Sequence, residues 1–379
     1  MPPMKHSKQS KTGLDKAGSA AMHDLTGHDW AGKEGSVLVF NYTMACPLRC
    51  DFCCYGCNPQ RKEKMSVDLA LRLVAEAADL NVFSSVGFTG GEALLHFDEI
   101  VEVAKELKRH DLGFTIATSA FWGESITEAG RILETLKDLG LKRLNISSDP
   151  SHEQFVKKDL VLNAAQAASS LEISTHIIGT FHSPEDTLES YIPSVANLPF
   201  VRMHTKWVAK VGRASANKIT QERYGIDLSL DDLTCYRRVH HDIVVWWDGA
   251  VYPCCSTFNR ATDGLVFGNV NVENLQDIWY RIEGSVLLKI IKRQGFAELY
   301  RIIEQRNPAL AKILPRAEDS AGPCSLCNRV LSGKLGQKVK EEISSYEEDL
   351  LLSALSKLSH LVGDNVVELA LNECLDSAV

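Results

Sequence analysis

Between residues 37 and 206 the chain alternates short apolar runs with amphipathic stretches, and this rhythm limits the fold more than any other feature. Val37-Leu38-Val39-Phe40 reads as a strand. Ser66 reads as an N-cap, and Val67, Ala70, Leu71, Val74, Ala77 and Ala78 fall on one helical face. Strands follow at 84–88, 113–118, 143–147, 172–178 and 200–206, with helices at 98–109, 124–138, 153–170 and 185–195 between them. Strand–helix alternation of this kind requires right-handed crossovers and a parallel sheet. Six such units point to a partial or full barrel rather than an open sheet.

The pattern changes after about residue 215. Residues 243–252 read as a hairpin turning at Asp248-Gly249. Helices run on to about 315, a Pro/Gly-containing loop carries Cys324 and Cys327, and 337–362 is an amphipathic helix with Val339, Ile343, Tyr346 and Leu350 on one face. The divisions expected are a disordered arm at 1–35, a barrel at 36–215, a smaller α+β unit at 216–336 and a helical tail at 337–379.

Other classes of function are set aside by composition. No apolar run is long enough to span a bilayer, and the first 35 residues lack the apolar core of a secretory signal, so the expected location is the cytoplasm. A net charge of −8 without a Lys/Arg stripe argues against nucleic acid. The 11 cysteines fall in knots at 46–57, 235–255 and 324–327, with Cys374 alone. In a chain read as cytosolic, such knots point to metal or cluster binding rather than disulfides.

Cys46, Cys50 and Cys53 have the spacing C-x3-C-x2-C directly after the first strand. Three thiolates hold three irons of a 4Fe–4S cluster and leave the fourth open for a ligand. Cys50, Cys54 and Cys57 repeat the spacing. The first register is preferred because Cys46 sits at the strand end and Phe52 precedes the last ligand; Cys54 and Cys57 are then structural, and a zinc site is the minor alternative. The motif resembles that of the radical S-adenosylmethionine (SAM) superfamily over roughly 36–215. The resemblance implies a TIM-like partial (β/α)6 barrel, a SAM-binding 4Fe–4S cluster, SAM itself, and an electron donor such as flavodoxin or ferredoxin.

The same resemblance assigns cofactor contacts to residues at strand ends. Gly90-Gly91-Glu92 resembles the family motif at the SAM amino group. Ser119, Ser147 and Asp149 fall where ribose, carboxylate or substrate contacts are made, with helix capping an equal alternative for each. Arg213 falls where relatives carry a basic residue near the cofactor carboxylate. His176 reads as a core histidine.

Cys235, Cys254-Cys255 and Cys324-x2-Cys327, with Gly249 through Cys254, Phe267 through Val270 and Ile278-Trp279, resemble the twitch or SPASM type of C-terminal extension. Five cysteines suffice for one auxiliary 4Fe–4S cluster. Neighbouring side chains diverge on extended backbone, so Cys254 and Cys255 do not both reach it. Cys235, Cys254, Cys324 and Cys327 are the expected ligands, and Cys255 is a spare thiol.

Several stretches are similar to the radical SAM peptide epimerases: Cys53 through Pro59, Ala120 through Gly123, Asp149 through Lys157, Asp248 through Ser256 and Leu288 through Phe296. That likeness implies a ribosomally made precursor peptide as substrate, inverted from L to D at Cα. It makes Cys255 the hydrogen donor and Asp242 an acidic residue that helps bind substrate; for Asp242 an exposed strand-edge carboxylate is the plain alternative. Residues 1–35 are too short for a separate leader-binding domain. Competing activities are thioether or carbon–carbon crosslinking of a peptide, dehydrogenation of an aminosugar-like molecule, and non-catalytic metal binding.

Overall fold

The computed structural model describes residues 35–217 and 228–362. The expectations for 1–34, 363–379 and Cys374 lie outside the described residues.

Six parallel strands follow one another in space as in sequence: β1 (Ser36–Thr43), β2 (Phe83–Gly90), β3 (Gly113–Thr118), β4 (Leu141–Ser147), β5 (Ser174–Phe181) and β6 (Val201–Trp207). Helices α1 (Val67–Leu80), α2 (Phe97–Arg109), α3 (Ile126–Asp138) and α4 (Lys158–Ser170) make the first four crossovers. Each strand alternates its side chains. In β1, Leu38, Phe40 and Tyr42 are fully buried on the helix side, where Tyr42 donates to Glu99 of α2 at 2.6 Å. Val39 points the other way, toward Gly87 and Thr115 on the inner face. β6 ends the sheet without meeting its far edge, so the fold is a mixed α/β partial barrel.

The far edge holds an unexpected join. β7 (Asp242–Trp246), from the C-terminal region, lies parallel to β1, with Val37 opposite Asp242 and Asn41 opposite Trp246. β8 (Ala250–Tyr252) and β9 (Gly268–Asn269) add antiparallel strands beyond it, giving one nine-stranded sheet. The barrel and its extension are therefore continuous through hydrogen bonds across β1, which covers an edge that would otherwise be open.

Four expectations for local structure change. The helix expected at 153–170 breaks: Asp149 caps a one-turn helix at Pro150–Glu153, and α4 begins only at Lys158. The helix expected at 185–195 shrinks to one turn at Leu188–Tyr191, because Pro193 has no N–H with which to continue it. Cys324 and Cys327 lie not in a loop but on helix α7 (Pro323–Leu331), which Pro323 opens; α5 (Leu275–Gly284) and α6 (Phe296–Arg306) precede it. In α8 (Gly333–Val362), Val339 and Ile343 are buried and Tyr346 partly so, but Leu350 is 45% exposed. Arg306 of α6 grips Glu342, Ser345 and Asp349, and beyond Asp349 Leu350, Leu351 and Leu352 are exposed. Among the described residues no helix is long and apolar enough to cross a membrane.

Candidate functional site

The loop after β1 carries Cys46, Cys50, Cys53, Cys54 and Cys57, and it is held from three sides. The Cys46 N–H donates to Asn58 O at 3.2 Å, closing the loop on itself. The Gly91 and Glu92 N–H groups donate to Thr43 O and Ala45 O at 2.6 and 2.9 Å, tying the loop to the end of β2. A Cβ on Gly91 would stand 2.1 Å from Ala45 O, so glycine is required for this approach. On the third side the Arg213 N–H donates to Cys53 O at 3.0 Å, and its guanidinium donates to Cys50 O and Cys57 O. Gly212, at φ +57°, packs against the Cys53 and Cys54 carbonyls. Arg213 thus clamps the cysteine loop with the donors expected to face a cofactor carboxylate.

Cys46 is pushed up to about 12, first by burial and further by Glu92, Cys50 and Cys53. Cys53 is brought down to about 5, first by a hydrogen bond from the Cys57 thiol. Cys57 is pushed up by the same bond and by burial. Cys57 is thus a buried hydrogen-bond partner of Cys53.

Glu92 is fully buried, which raises its pKa, while donors partly offset that: the Ser119 N–H and hydroxyl both meet Oε2 at 2.7 Å. Glu92, Ser119, Gly90 and Gly91 therefore converge beside the loop. Ser147 ends β4, partly exposed. Asp149 is used within the protein. Oδ1 accepts from the Ser151 and His152 N–H groups, and Oδ2 from the Thr180 N–H and from His152 Nδ1 at 2.8 Å. Burial alone would lower His152, but Asp149 and Cys50 raise it to about 10. His176 is buried and packs beside His204, ring centroids 4.8 Å apart.

The second group forms where α7 meets the β7–β8 hairpin. Cys235, Cys254, Cys324 and Cys327 are each pushed up first by burial, and the negative thiolates of the others raise Cys254, Cys324 and Cys327 further. Positions 324 and 327 share one face of α7. Asn328 fixes that helix by donating to Ala261 O and Thr262 Oγ1, both at 2.9 Å. Cys255 turns elsewhere. Its thiol donates to Asp242 Oδ2 at 3.0 Å, and its pKa is raised by burial and by that carboxylate. Its side chain keeps exposed surface. Asp242 is only 9% exposed; it opens β7 opposite Val37, and that strand lies between β1 and β8 rather than at a free edge.

The ten described cysteines are free thiols. Among the described residues no three Cys, His, Asp or Glu side chains converge on one metal-sized point. Thiolate sulfur is the usual ligand of a 4Fe–4S cluster, and each group supplies thiols of the kind such a cluster takes. The cradle also fits a polar cofactor. Asn41, inward-facing at the end of β1, is fully buried with neither amide atom partnered among the described residues, and its Oδ1 would lie 3.1 Å from a Cβ on Gly90. A buried amide left unpaired is costly, so a ligand supplying its partners is the natural resolution.

Sequence reasoning missed Asn41, His152 and Arg237. An Asn inside an otherwise apolar central strand was a signal for the first. The other two become visible only through their partners.

Comparison with known proteins identifies two domains. The model of the radical SAM superfamily matches residues 40–189, and that of the SPASM iron–sulfur cluster-binding domain matches 235–328. The chain carries a radical SAM domain followed by a SPASM domain. Its radical SAM domain binds a 4Fe–4S cluster and SAM, and its SPASM domain binds auxiliary iron–sulfur. The putative peptide biosynthesis protein YydG of Bacillus subtilis (strain 168) is 25% identical over 299 residues, covering 78% of this chain and 92% of the relative. A probable GTP 3',8-cyclase of Methanococcus maripaludis (strain C5) is 31% identical over 137 residues, 34% of this chain and 42% of that protein. The solved structure described as native anSMEcpe with bound AdoMet aligns with a TM-score of 0.47 and 15% identity, over 85% of this chain and 99% of that one.

Proposed function

We propose that this radical SAM enzyme epimerises residues of a ribosomally made peptide, with Cys255 as hydrogen donor. The observation that carries the reading is the separation of Cys255 from its neighbour. Cys254 shares its surroundings with Cys235, Cys324 and Cys327, whereas the Cys255 thiol donates to Asp242 at 3.0 Å. The YydG relative supports a peptide as substrate.

In this reading Cys46, Cys50 and Cys53 hold the catalytic cluster, and Gly90, Gly91, Glu92 and Ser119 border the SAM site. Cys235, Cys254, Cys324 and Cys327 hold an auxiliary cluster. The cluster and SAM together supply a 5′-deoxyadenosyl radical that removes a Cα hydrogen. Cys255 then gives its hydrogen atom to the opposite face of the planar Cα radical. The C–H bond forms as S–H breaks, and one electron and one proton restore the thiol. A low-potential donor such as flavodoxin or ferredoxin supplies the electron. Asp242 binds the approaching substrate and accepts from the thiol.

The test is anaerobic incubation with SAM, reductant and peptides encoded by neighbouring reading frames, in deuterated water. The expected product has a D-residue carrying one solvent deuterium at each inverted Cα, because the thiol proton exchanges. Cys255→Ala should keep its iron and its 5′-deoxyadenosine formation but lose inversion. A product two hydrogens lighter would replace epimerisation with crosslinking. Unimpaired inversion by the variant would remove Cys255 as donor, and loss of iron would make it a ligand.

A further inference from the structure

The Asp242 carboxylate is held at both oxygens. Oδ2 accepts from Cys255, and Oδ1 accepts from a terminal nitrogen of Arg237 at 2.5 Å. The Arg237 and Asp242 side chains are each only 12% exposed. A carboxylate held at one oxygen still turns about its last torsion; held at both, its plane is set. Arg237 also keeps a buried Nε–H with no hydrogen-bond partner among the described residues. Such an unmade bond costs about 1–3 kcal/mol. An arginine placed only to stabilise the fold gains little from that arrangement; one held in place to fix Asp242 accounts for it. The segment is short: Cys235, Arg237 and Asp242 lie within eight residues, so one stretch carries an auxiliary-site thiol, the clamp and the carboxylate.

We propose that Arg237 is a positioning residue, gripping Asp242 so that Oδ2 fixes the Cys255 side chain in place until the substrate radical forms. The S–H then leaves the carboxylate and its hydrogen passes to carbon. The inference rests on Cys255 being the hydrogen donor. Without the grip Asp242 turns away, the thiol loses its acceptor, and hydrogen return slows while radical formation continues. The signature is uncoupling: more 5′-deoxyadenosine formed for each D-residue made.

The experiment compares the wild-type holoenzyme with Arg237→Gln and Arg237→Lys, and with Arg237→Gln in an Asp242→Asn background, on the encoded peptides in deuterated water. Iron per chain, 5′-deoxyadenosine and D-residues are measured together. Arg237→Gln should keep wild-type iron and 5′-deoxyadenosine formation while its 5′-deoxyadenosine per D-residue rises on the order of tenfold. Arg237→Lys should restore most of the coupling. In the Asp242→Asn background, Arg237→Gln should add no further uncoupling, because its effect runs through that carboxylate. A wild-type ratio in Arg237→Gln overturns the inference. Loss of iron in both Arg237 variants, or further uncoupling in the Asp242→Asn background, also overturns it. A wild-type enzyme that makes no D-residue overturns the epimerase reading, and this inference with it.

Discussion

Cys46, Cys50 and Cys53 lie in one short loop at the end of β1, whereas Cys235, Cys254, Cys324 and Cys327 are gathered from a coil, a hairpin and a helix. The loop is shaped locally, by its own hydrogen bonds and by Gly91, Gly212 and Arg213 at its border. The second group depends on distant packing. β7 must pair with β1, and α7 must dock through Leu326, Val330 and Leu331, all fully buried. A local thiol set can be damaged without disturbing the rest of the fold, while a gathered one is lost with any of its segments.

Removing the first set gives the largest expected effect. Cys46→Ala/Cys50→Ala/Cys53→Ala should abolish 5′-deoxyadenosine formation and lower iron from about eight to about four per chain if two cubanes are filled. Iron assay and chromatography read both. Iron falling to zero would mean that the second group holds none, and the contrast between the two regions would collapse. Activity that survives loss of Cys46 but needs Cys54 and Cys57 would move the ligands to the other register.

A smaller effect is expected at the border of the loop. In Gly212→Ala the new Cβ would stand 2.1 Å from Cys54 O at φ +57°. That combines a left-handed backbone with a clash, and a destabilisation of about 1–3 kcal/mol is expected. SAM cleavage should fall while auxiliary iron stays near normal, as followed by thermal melts and iron assay. Equal loss at both sites would show that the loop is not an independent unit.

The smallest effect concerns the inner face of the barrel, away from both groups. Burial first, then Arg143, His204 and Arg202, hold His176 down to about 3 from an ordinary 6.5. The unfolded chain therefore binds a proton as pH falls below about 6.5 while the folded one does not, so stability is lost downward through that range. Between pH 6.5 and 5.5 the loss is at most ~1.4 kcal/mol. His176→Gln should flatten that part of the stability–pH curve in denaturant titrations. An unchanged slope would remove His176 as its source.

Legibility followed the range of the forces involved. The six strands, α1 with its Ser66 cap, the hairpin turn at Asp248-Gly249 and the spacing of the first cysteines are each set by neighbours a few residues apart. They could be read from periodicity and turn chemistry. The truncation at Pro193 was misread because apolar periodicity ran on past a residue that stops a helix. The break at 154–157 carries no such residue and left no local signal.

The sequence by itself determined the parallel α/β barrel, the thiol spacing after β1 and the surplus of one cysteine in the second group. Only the tertiary structure decided that β7 joins β1, that Arg213 and Asp149 serve the protein's own backbone and His152, and that Asp242 stands between Arg237 and Cys255. The physical reason is that a polar side chain's role is set by the partners it meets on burial. Those partners arrive from segments far apart in the chain, through packing that local propensity does not encode.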